Sequence, residues 1–104
     1  MFNQSKRYIT RGVEQKTSDE LRRLIWDLVD LFITNREQGD VDYLQYFELS
    51  VEQRNGHDLQ RIIHRQEQPA YMEDTIFEVD RTFEGAILVY DEVDVSIMML
   101  AEEY

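Results

Sequence analysis

The 104-residue chain contains no cysteine, which excludes disulfides, thiolate metal sites and cysteine nucleophiles together. One proline and four glycines leave no room for long linkers or low-complexity tracts, and no internal repeat is present. Apolar runs reach only about five residues, far short of the roughly 20 that a membrane span requires. The opening MFNQSKRYIT has basic residues with no apolar run behind them, so it does not read as a signal peptide. A cytoplasmic location is the resulting expectation. Missing too are a glycine-rich phosphate loop, an HExxH helix and a GxSxG elbow. Nucleophiles are scarce: two lysines and four serines, none beside a histidine.

Positive charge is the other deficit. Residues 66–104 hold one basic residue, Arg81, against eleven acids, and they account for -10 of the net charge of -11. Only the stretch 1–13, with Lys6, Arg7 and Arg11, is locally basic. Such a surface repels phosphates, so nucleic-acid binding is disfavoured. The acids serve solubility, or they form a face for a basic partner, in the extreme case as a nucleic-acid mimic.

What is present is a globular composition, 42% hydrophobic and 32% charged, of a length suited to one domain, 1–104. RYITRGV (7–13) alternates as a short first strand. Thr17 followed by Glu20 reads as a capping box announcing a helix through LRRLIWDLVDLFI to about Asn35. On that helix Leu21, Leu24, Ile25, Leu28, Leu31 and Phe32 form one stripe, and Trp26, Val29 and Ile33 carry it far round the cylinder. One sheet face covers less than this arc, so a loop folds over the Trp26 side or that side meets another chain. Trp26, Val29 and Ile33 are therefore the candidate interface.

The remainder reads as strands. YLQYFELSV (43–51) places Tyr43, Phe47, Leu49 and Val51 on one face, with Leu44, Tyr46, Glu48 and Ser50 on the other. Asn55-Gly56 is a hairpin signal, because both residues accept positive φ. Residues 57–66 form the return strand, TIFEVD (75–80) is extended, and AILVY–DEVD–VSIMMLA reads as a second hairpin with an acidic turn. That hairpin is apolar on both faces, as strands covered on both sides are. The second cover is expected from residues 67–82 or from a partner subunit, which favours a homodimer.

Both histidines lie in HDLQRIIHRQ (57–66). Seven apart on an unbroken strand, they point to opposite faces and cannot share a metal or form a dyad. His57 follows the turn and is solvated. His64 faces Phe47 if the loop has two residues, or Tyr46 if it has three; a packed structural histidine is the plainer reading. His64, Arg65, Gln66 and Glu67, with Tyr71, are the candidate ligand or interaction residues, since His, Arg and Glu together bind anions or move protons. Alternation splits them, His64 with Gln66 and Arg65 with Glu67, unless the strand twists before Pro69. Asp91, Glu92 and Asp94 have neither the spacing nor the glycine of a calcium loop. No metal, cofactor or catalytic residue is assigned.

RYITRGV (7–13), LRRLIWDLVD (21–30), DYLQYFEL (42–49), HRQEQPAY (64–71) and MLAEEY (99–104), taken in that order, resemble a family of small uncharacterised cytosolic proteins of Gram-positive bacteria, a domain of unknown function. The resemblance implies a bacterial cytosolic protein and supplies no activity or site residues. The combined expectation is an α+β domain, one principal helix on a mostly antiparallel sheet of five or six strands. Its expected role is a non-enzymatic interaction or regulatory module with an acidic C-terminal contact face. The alternatives are a small ligand-binding domain or enzyme using His64, Arg65 and Glu67, and the nucleic-acid mimic.

Overall fold

The computed structural model describes residues 2–104, the Gln38 side chain excepted; Met1, at the head of the basic stretch 1–13, lies outside them. Six strands form one sheet: β1 (Arg7–Ile9), β2 (Leu44–Arg54), β3 (His57–Gln66), β4 (Tyr71–Phe77), β5 (Gly85–Asp91) and β6 (Ser96–Leu100). Two helices, α1 (Arg11–Lys16) and α2 (Asp19–Thr34), precede β2. The strand order is β1-β6-β5-β2-β3-β4. All pairs are antiparallel except β1 on β6. The fold is α+β, as expected, with a second, short helix besides the principal one.

Three boundaries differ from expectation, each for a local reason. The first strand stops at Ile9 because the Thr10 side chain accepts from the Val13 amide and caps α1. Thr17 closes that helix, its hydroxyl donating to the Val13 carbonyl at 2.5 Å. Ser18 therefore caps α2, accepting from the Leu21 amide. Glu20 completes no capping box and accepts from the Asp80 amide instead. Finally, β4 begins at Tyr71 rather than Thr75, because it pairs with β3 from Gln66 onward.

Leu21, Ile25, Val29 and Phe32 of α2 are buried against Phe47, Leu49, Ile62, Ile87, Val89, Met98 and Leu100 on one sheet face. Val29 is fully buried within the chain, so it presents nothing to a partner. The wide apolar arc is covered by the chain's own N-terminal segment. Phe2 is buried in the core, and the Arg7 guanidinium lies 4.6 Å over the Trp26 ring while pairing with Asp30. Trp26 and Ile33 pack partly buried against the core. The apolar residue that α2 leaves outside is Leu31, 60% exposed.

Residues 67–82 supply no second layer, because they form the edge strand β4 and its flanks. The sheet face opposite the helices carries two kinds of surface. Toward β3 and β4 it is bridged by the ion pairs Arg65–Glu48 and Arg61–Asp74. Toward β1, β6 and β5 it is apolar, with Tyr8, Ile97, Tyr90, Leu88 and Met99 in adjacent register.

Candidate functional site

The two-residue turn at Asn55 and Gly56, both at positive φ, sets the β2–β3 register so that His64 lies opposite Phe47. On its other side, β4 places Glu73 opposite His64 and Tyr71 opposite Gln66. Cross-strand partners share a face, so Phe47, His64 and Glu73 form one row beneath α2, and Gln66 and Tyr71 the next.

His64 is buried, with its Nε2 2.7 Å from Gln45 Oε1. The Gln45 amide donates to the Asp42 carbonyl at 2.9 Å and to Gln66 Oε1 at 2.8 Å. Gln66 in turn donates to the Asp40 and Pro69 carbonyls. This chain of buried amides makes Gln45 Oε1 an acceptor, so His64 carries its proton on Nε2. The ring stacks on Phe47 at 4.4 Å and meets Phe32 edge-on at 5.0 Å. Burial, reinforced by the Arg36 charge and opposed by that of Glu73, pushes the imidazole down to about 4. His64 is therefore neutral at pH 7. Its Nδ1 has no hydrogen-bond partner among the described residues, and the sealed side-chain atoms lacking one are elsewhere, at Asp91 and Ser96.

Beside this ring a cavity of about 280 Å³ opens between α2 and the β3–β4 edge. Leu28, Leu31 and Ile62 make its apolar wall, and Phe32, His64 and Tyr71 its aromatic one. Asn35, Arg36, Glu73 and Thr75 form the polar rim. The Arg36 guanidinium lies 4.7 Å over Phe32 and 4.4 Å over Tyr71. The Tyr71 hydroxyl donates to the Glu73 carboxylate. Burial, together with that bond and the Glu73 charge, pushes the phenol up to about 12. The site thus offers an aromatic slot, a cation flattened on two rings, a carboxylate and an imidazole lone pair. With the imidazole held near 4, it is a poor general base at neutral pH.

Of the residues singled out from sequence, His64, Gln66 and Tyr71 come together at this end of the molecule. Arg65 and Glu67 do not join them. Arg65 points to the opposite face, pairing with Glu48 at 2.7 Å and lying 5.7 Å over Tyr46. Glu67 lies near Tyr46, where burial, with Glu67 adding to it, raises the phenol's pKa. The twist before Pro69 does not reunite the quartet. The positive and negative charges at the cavity come instead from Arg36 and Glu73. Sequence reasoning missed both, along with Gln45. Gln45 was readable as a polar residue two before Phe47 on the inward face, whereas Arg36 and Glu73 depend on where α2 ends and how β4 registers. Tyr43, expected on that same face, lies just outside β2 and turns outward, 50% exposed and edge-on to Tyr90 at 5.5 Å. His57 is exposed at the turn. Among the described residues, no cluster of three His, Asp or Glu side chains is placed to hold a metal. Nor, among them, is any helix long and apolar enough to cross a membrane.

Residues 6–103 match the model of a family described as "Staphylococcal protein of unknown function (DUF960)". No curated protein matches the chain. A crystal structure described as that of "the protein of unknown function from Enterococcus faecalis" superposes with a TM-score of 0.78 at 19% identity, covering 99% of this chain and 94% of that one. At that identity the likeness establishes the shared fold.

Proposed function

The chain belongs to the DUF960 family of Staphylococcal proteins of unknown function, and from that premise we propose that it is a non-enzymatic interaction module of the bacterial cytoplasm. Its contact site is the cleft between α2 and β4. The observation that carries this reading is the cavity itself, a preformed apolar and aromatic slot with a polar rim. At about 280 Å³ it falls just below the ~300–1,000 Å³ of drug-sized pockets, so it suits one inserted side chain or a fragment-sized ligand. Chemistry is poorly supplied: no serine or lysine lines the cavity, and the His64 proton is committed to Gln45. The acidic half of the chain contributes the outer wall of the cleft through β4, which fits an acidic contact face.

The reading is tested by affinity capture with wild-type chain beside Leu31→Glu and Thr75→Trp. Leu31 is exposed, so the first change alters the lip of the cavity without touching the core; the second fills it. Partners lost with both variants, while their melting temperatures stay near wild type, support the cleft. Partners that both variants retain end this reading.

A second reading, homodimerisation, draws on the apolar region over β1, β6 and β5. Tyr8, Tyr43 and Tyr104 there are 57%, 50% and 66% exposed. For a chain of net charge -11, two copies approach most easily through an apolar region that carries little of that charge.

A further inference from the structure

We infer that the cleft takes an extended, basic segment of another protein, added to β4 as a seventh strand with one apolar side chain in the cavity; this rests on the cleft being the contact site. Three observations converge on strand addition. First, β4 ends the sheet, so one side of its seven-residue backbone has no strand to pair with. Edge strands are commonly blunted by proline, by charged side chains, above all lysine, or by a bulge. The charges on β4 are both acidic, Glu73 and Asp74, which turn away an acidic strand and not a basic one. YMEDTIF has no proline and no lysine, and its register with β3 is unbroken from Tyr71 to Phe77.

Second, the hollow beside that edge is a groove. Beyond the main cavity, a second and more open hollow lies between Leu24 of α2 and Phe77 at the far end of β4. Together the two hollows follow the strand from Tyr71 to Phe77, the geometry in which an added strand pairs through its backbone and inserts alternate side chains beneath a helix. A side chain entering the deeper hollow would contact Phe32, Tyr71 and Leu28.

Third, the charges select the occupant. Glu73 and Asp74 lie on β4, Glu73 facing Arg36 across the main cavity and Asp74 paired with Arg61 on the other face. Around the second hollow Glu20, Asp27 and Glu78 outnumber the cation Arg23. Antiparallel pairing of two β4 strands about their centre would set Asp74 directly opposite Asp74 of a second copy and Glu73 diagonal to its Glu73, which is destabilising. Lysines or arginines on an incoming strand meet these acids favourably.

Panning a display library of random peptides of about ten residues on the full chain tests the proposal. Enriched peptides should alternate apolar residues with Lys or Arg, and should protect from hydrogen exchange the β4 amides that β3 leaves free. Their affinity should fall about tenfold or more when alternate peptide amides are N-methylated or when the chain carries Leu31→Glu. His57→Asn, at an exposed position of the β2–β3 turn, should leave binding unchanged. Peptides that need Leu31 but tolerate N-methylation, or that bind as helices, overturn strand addition while keeping the cleft as the site. Enrichment of acidic peptides overturns the charge assignment. No enrichment, or binding indifferent to Leu31→Glu and Thr75→Trp, overturns the cleft itself and the proposed function with it.

Discussion

His64 is a histidine held neutral by its surroundings, and that has a measurable consequence. Its folded-state value of about 4 lies below the ordinary 6.5, so the unfolded chain binds its proton first as pH falls. The stabilisation is fully present above 6.5 and is lost progressively between 6.5 and about 4. Going from about pH 7.5 to about pH 5, this one group should lower stability by about 2 kcal/mol. In His64→Gln, which keeps a donor for Gln45 and does not titrate, that share of the pH dependence should vanish. Urea melts of both proteins at the two pH values measure it. Equal slopes would mean that His64 is solvated, and the aromatic wall of the cavity would need redrawing.

At the level of elements, the two hairpins contrast. The β2–β3 turn uses Asn55 and Gly56 at positive φ, the residue types that tolerate it, and this fixes which face His64 occupies. The β5–β6 turn places Val93 at φ 68, a region that β-branched residues rarely adopt. Val93 is 85% exposed, so nothing apparent in packing compensates. Val93→Asn should stabilise the protein by about 1 kcal/mol, read as a higher urea midpoint with unchanged m-value. A lower midpoint would show that the valine makes a contact worth more than the strain.

For the whole molecule, the distribution of apolar surface matters most. One sheet face is filled by α1, α2 and the N-terminal segment. The other is divided between ion-paired ladders and an aromatic region in which Tyr8, Tyr43 and Tyr104 are exposed beside buried Leu44 and Leu88. If that region joins two copies, sedimentation equilibrium at high micromolar concentration should give a dimer mass, and Tyr8→Glu with Ile97→Lys should return it to monomer. A monomer throughout would leave the α2–β4 cleft as the sole proposed contact site.

The class of fold, the return strand at residues 57–66 and the separation of the two histidines all followed from periodicity and turn chemistry, because those signals are local. The opposition of Arg65 to His64 was legible for the same reason, since alternation on a strand has period two. What covers the Trp26 side of α2 was not legible: Phe2 and Arg7 reach it from a distant part of the chain, and no local pattern announces a strap. The cavity was legible by half. His64, Gln66 and Tyr71 stood out as polar or aromatic residues near a strand end, yet Arg36 and Glu73 joined them only through the packing of α2 over the β3–β4 pair. Sequence by itself determined which residues share a strand face; the tertiary structure alone decided which faces meet, because that depends on contacts between segments far apart in the chain.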